Sequence, residues 1–181
     1  MEGFLKNIKD ADHAWVTCPV PQWLIWVVCQ SSCRTNRVPL VAALTTICDD
    51  ILPLFIEKYP NDTRLTTAVE KARALIAGTG TLQDLQQACK TAQVVVNELR
   101  GQPLAPVAMA ITSLAMWAVP LPTENTNPRK LITADKFQQP VDTCEHAAIA
   151  RLTILNEPKK RSFARYCDII RANIPQPKPP T

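Results

Sequence analysis

The sequence predicts an all-α protein: a single-domain bundle of six to eight helices built on a kinked core helical hairpin. Three observations predict it. Between Arg37 and Gly80, apolar residues recur at three- and four-residue spacing in two successive runs, the pattern by which a helix buries one stripe. Only four of the 181 residues are glycine, which argues against a turn-rich β architecture. The sixteen prolines sit at segment ends and in the tail, where proline opens or stops helices instead of breaking them. No period-two alternation and no internal repeat stand out. The length suits one domain with a sizeable core, taken as residues 1–173, with a long loop at 120–139 inside it and a Pro-rich, disordered tail at 174–181.

Residues 3–9 predict a short helix. Asp10 or Asp12 then caps a second one through Ala14, Trp15 and Cys18, and Pro19 and Pro21 stop it. The next helix, Gln22 to about Gln30, is apolar nearly all round, so both of its faces should be covered. A polar loop follows, and Asn36 caps the long helix that comes after it. That helix puts Leu40, Leu44, Ile47, Ile51, Leu54 and Phe55 on one side. Pro53 removes one of its hydrogen bonds and predicts the kink.

A turn at Tyr59-Pro60-Asn61-Asp62 leads into a helix of about Thr63 to Ala77. Its cap is Asp62 and its stripe is Leu65, Ala68, Val69, Ala72, Leu75 and Ile76. Neither stripe can be buried alone, so the two helices pack antiparallel. Gly78 ends the second. Thr81 and Asp84 form a weak capping box for a helix from Leu82 to Leu99. Its apolar face is read as Leu82, Leu85, Cys89, Ala92, Val96 and Leu99, and Gly101 ends it.

No charge occurs between Arg100 and Glu124. The apolar part, Leu104 to Val119, is bracketed by prolines and is shorter than the ~20 residues a membrane span needs. A buried central helix is expected, with no membrane association. Beyond the long loop, two helices are expected, about Pro140–Leu155 and Glu157–Ala172.

Charge is unevenly spread. Met1–Asn127 holds ten Lys/Arg against eleven Asp/Glu, and Pro128–Thr181 ten against five, so the basic character belongs to the C-terminal part. Seven cysteines and an N-terminus without a signal-peptide core point to a reducing, cytoplasmic setting. The thiols are then free, small core residues. Cys29 and Cys33, with Cys18 and His13 upstream, lack a tight Cys-x-x-Cys knuckle, and no metal or other cofactor is expected. Cys144-Glu145-His146 lacks an oxyanion loop and a second histidine. Phosphate-loop, dinucleotide and zinc-protease motifs are missing too. The chain is therefore not expected to be an enzyme.

Three sets of residues are candidates for binding. Trp15, Trp23 and Trp26 either lock the N-terminal helices onto the core, the commoner fate of tryptophan, or form an aromatic recognition surface in which Trp23 and Trp26 touch a partner. Asp50, Asp62 and Arg64, with Asp49, either pin the hairpin, Asp62 as a cap and Arg64 paired with Asp50 or Glu57, or contact a partner. The basic run Lys159, Lys160, Arg161 and Arg165, with Arg171, is either a solvated helix face or a nucleic-acid contact, since clustered Lys/Arg suffice for phosphate binding.

Two segments carry a resemblance. One is Ala14-Trp15-x-x-Cys18 followed by Trp23-Leu24-Ile25-Trp26. The other runs through Ala42-Ala43, Cys48, Leu52-Pro53-Leu54-Phe55, Tyr59-Pro60-Asn61-Asp62-Thr63-Arg64, Ala68-Val69-Glu70 and Gly78. Over about residues 14–118 the chain resembles a helical family of bacterial and phage proteins described as immunity proteins, the neutralising partners of secreted toxins. It departs from that pattern at Gln22, where an acid is common, and at Leu65, where proline is. The resemblance implies a non-enzymatic protein-binding module that occludes a toxin with a preformed helical surface. The alternative is a phage or bacterial structural or accessory component of a larger assembly, touching nucleic acid through its basic C-terminal part.

Overall fold

The computed structural model describes residues 10–31, 37–119 and 134–176. These form eight helices and, among the described residues, no strand: α1 (Ala11–Thr17), α2 (Pro21–Ser31), α3 (Val38–Lys58), α4 (Arg64–Ile76), α5 (Leu82–Glu98), α6 (Ala105–Ala118), α7 (Ala134–Leu155) and α8 (Lys159–Asn173). The all-α bundle expected from the sequence is the architecture found. The expectations for residues 3–9, Cys33, Asn36, the stretch 120–133 and residues 177–181 lie outside the described residues.

Two helices organise the rest. α3 packs against α4, α6, α7 and α8, and α6 against α3, α4, α5 and α7. Their sequences show why. α6 is apolar all round, and Ala108, Ala110, Ile111, Leu114 and Ala115 are fully buried, the alanines letting neighbouring helices approach closely. The charge-free stretch is thus the central helix of a bundle. α3 is the described helix long and apolar enough to cross a membrane, but more than half of its apolar window is buried by its neighbours. The predicted stripe Leu40, Leu44, Ile47, Ile51 and Phe55 is buried, with Leu54 at its half-buried edge. Val41, Ala43, Cys48 and Leu52 are buried as well, because helices cover α3 on several sides. It runs on through Pro53.

α4 and α5 cover one flank. Leu65, Ala68, Val69 and Ala72 of α4 are buried, while Leu75 and Ile76 are only partly covered. The left-handed turn that ends α4 centres on Gly78 (φ 73°), and Gly101 (φ 79°) follows α5, both positions where a Cβ would strain the backbone. At the start of α5, Thr81 Oγ1 accepts the Asp84 N–H at 3.1 Å, as the capping box requires. The buried face of α5 is Leu85, Ala88, Ala92, Val95 and Leu99. This corrects the predicted register: Leu82 is exposed and Cys89 and Val96 are half-buried. Ala88 and Val95 sit where α5 meets its neighbours, and Leu82 lies in the first turn, at the helix end.

α7 and α8 cover the other flank, and α2 lies over both. α7 corrects the predicted loop 120–139, since helix is already formed from Ala134 and continues through Pro140. The ring of Pro140 removes a single hydrogen bond from that helix; a proline read from sequence as a first-turn residue is instead an interior one. The tail prediction is corrected at its near end as well. Ile174 is buried, and Gln176 Nε2 donates to Asp12 Oδ1. α1 opens on Asp10, whose Oδ1 accepts the His13 N–H at 2.7 Å. It ends against α8, where Arg171 Nε donates to the Trp15 carbonyl at 2.9 Å and Nη2 donates to that of Cys18. A cation there satisfies carbonyls at the end of α1 that have no partner in the helix. Five of the six described cysteines are buried, and Cys89 is half-buried.

Candidate functional site

The structure sorts the candidate residues into three separate places and a basic run on α8. The first is the hairpin turn. Asp62 accepts the Arg64 backbone N–H at 3.1 Å, so it holds the first turn of α4 although Thr63 is the capping position. The Arg64 guanidinium then forks both ways. Nε and Nη2 donate to Asp62 at 3.0 and 2.7 Å, and Nη1 and Nη2 donate to Glu98 at 3.0 and 2.6 Å. The pairing expected with Asp50 or Glu57 is not formed. Asp50 lies eight residues before the end of α3, about 12 Å along the axis at 1.5 Å per residue, and Glu98 arrives instead across the α4–α5 packing. Hydrogen bonds from Arg64 hold the carboxyls of Asp62 and Glu98 below their usual range. Tyr59 Oη donates to Gln102 Oε1 at 3.4 Å, which ties the same turn to the α5–α6 connection. With its planar fork already engaged by two carboxylates, Arg64 acts as a framework clasp.

The second place is internal. Asp50 Oδ2 accepts from Arg151 Nη1 at 2.9 Å and Oδ1 from Arg165 Nη1 at 2.8 Å. Arg151 also donates through Nε and Nη2 to Glu157 at 3.0 and 2.8 Å, and Ser162 Oγ donates to the same carboxylate at 2.8 Å. The side chains of Arg151 and Glu157 are each only 10% exposed. Two acids and two guanidiniums therefore close a neutral network that joins α3, α7 and α8. Asn156, with φ 54°, sits in the left-handed region that Asn tolerates and turns the chain so that Glu157 faces Arg151. Asp50, a candidate partner contact by sequence, is a framework residue.

Glu157 titrates far from its ordinary value. The Arg151 hydrogen bonds, then those from Ser162 and the charges of Arg151 and Arg165, hold its carboxyl at about 2. A carboxyl depressed on folding contributes stability above its unfolded value, about 4.3, and that stability is lost as pH falls towards the folded value. Acid unfolding monitored by circular dichroism should show destabilisation between about pH 5 and pH 2. The Glu157→Gln variant should lose roughly 1–3 kcal/mol at pH 7 and show a weaker acid dependence. An unchanged acid profile in that variant would contradict the assignment.

The third place is α2. Trp15 belongs to the core at 7% exposure, but Trp23 and Trp26 are 37% and 53% exposed. They are three residues apart, hence neighbours on one helix face. With Gln22 they line an open depression of about 490 Å³. α2 carries no charge. The expectation that both of its faces are covered holds only for the inner one, where Leu24, Ile25, Val28 and Cys29 are buried.

The basic run is partly consumed. Lys159 pairs with Glu145 and lies over the Phe163 ring at 5.2 Å. Arg165 is held by Asp50 and, at 3.7 Å, by Glu157. Lys160 and Arg161 are exposed and form no ion pair with any described residue. Chemistry elsewhere is muted. Burial pushes the thiols of Cys48 and Cys144 up, away from the thiolate a nucleophile needs. Burial also lowers the imidazole of His146.

Arg151, Glu157 and Glu98 were not singled out by sequence reasoning. Glu98 carried a signal: an acid in the last turn of a helix opposes the macrodipole and calls for a cation. Comparisons of the chain with protein-family models, curated proteins and solved structures find no match.

Proposed function

We propose that this protein is a non-enzymatic protein-binding module whose contact surface centres on Trp23 and Trp26, and that it acts as immunity proteins do, by occluding a toxin. One observation carries the reading. Two adjacent tryptophans stand open on an uncharged helix face while the inner side of the same helix is packed. Covering both exposed faces removes roughly 200 Å² of apolar surface from water, about 5 kcal/mol at 25 cal/mol per Å². Tryptophans at the centre of an interface are the usual carriers of binding energy. The Asp62–Arg64–Glu98 clasp and the Asp50 network keep the bundle rigid, so that surface is preformed and binding costs little ordering. The resemblance over residues 14–118 supplies the toxin as the kind of partner.

The test is neutralisation. Genes adjacent to that of this protein are expressed singly, and one is expected to arrest growth in a way that co-expression of this chain relieves. The Trp23→Ala/Trp26→Ala protein should lose that relief while melting within a few degrees of the parent. Relief that survives the double change would overturn the reading.

The nucleic-acid alternative makes a different prediction. With Lys159 and Arg165 engaged in the bundle, Lys160 and Arg161 offer about two phosphate contacts, so a log–log salt slope no steeper than about −2 is expected on duplex DNA. A steep slope that Lys160→Ala/Arg161→Ala flattens would favour the assembly component.

A further inference from the structure

We draw no further inference here: the strongest candidate, the apolar depression around Trp23 and Trp26 on the outer face of α2, belongs to the site already described, and nothing in the structure shows what covers it.

Discussion

Replacing Arg151 with Ala is expected to cost about 3–5 kcal/mol, the range seen when one partner of a buried ion pair is removed. The guanidinium donates three hydrogen bonds to two carboxylates, one on α3 and one in the α7–α8 connection. Without it, Asp50 keeps Arg165, but Glu157 is left with Ser162 and a distant Arg165 nitrogen at 3.7 Å. A carboxylate that is 10% exposed then lacks its chief counter-charge, and desolvating it is the main penalty. Lysine is a poor substitute, since a point charge cannot reproduce the planar fork. Urea denaturation should show the midpoint of Arg151→Ala falling by 1 M or more, at a slope of roughly 1–3 kcal/mol per M. Arg151→Lys should recover only part of the loss. A change below about 1 kcal/mol would mean the network is solvated and dispensable.

The second large effect concerns the apolar stripe of α3. Ile51→Ala should lose about 2–5 kcal/mol, through lost transfer energy plus the cavity left behind. Ile51 is fully buried on the helix that packs against α4, α6, α7 and α8, so several elements would have to move to close the gap. Leu44 occupies an equivalent position and should respond alike. Leu54, at the half-buried edge, should lose clearly less on the same truncation, because solvent and mobile neighbours fill the space. Equal losses at Ile51 and Leu54 would mean that the stripe is wrongly placed.

How much of this was legible beforehand differs by element. Stripes of Leu, Ile and Val at helical spacing located α3 and α4 within a few residues, because burying a stripe requires that spacing. α5 went wrong by a rotation. A periodicity reading treats Leu82, Cys89 and Val96 as equals of Ala88 and Val95, yet close helix contact favours small residues, and a first-turn leucine can overhang the end. The sequence reading starts α7 late because Pro140 looks like a first-turn residue, although one interior proline costs a single hydrogen bond that a well-packed helix can forgo.

The site was harder to read than the fold. Asp50 meets Arg151 across 101 positions of sequence and Arg165 across 115, and no local pattern encodes such a meeting. Arg64 and Asp62 stand together in the sequence, two residues apart across a turn, but the reading pairs Arg64 with Asp50 or Glu57, whereas its first partner in the structure is Asp62. Its second partner, Glu98, depends on how α4 and α5 pack. The three tryptophans looked alike in sequence. Only packing separates Trp15, whose carbonyl and ring are held within the bundle, from Trp23 and Trp26, which face outward.

Trp23 and Trp26 are proposed as the surface a partner covers. The most direct test is fluorine NMR of protein labelled with 5-fluorotryptophan, titrated with whichever growth-arresting protein the co-expression experiment shows to be relieved by this chain. The four tryptophans give four reporters, two exposed and two, Trp15 and Trp117, buried. The Trp23 and Trp26 resonances should shift or broaden on binding while those of Trp15 and Trp117 stay in place. A saturating complex that leaves the Trp23 and Trp26 signals unmoved would contradict the proposal.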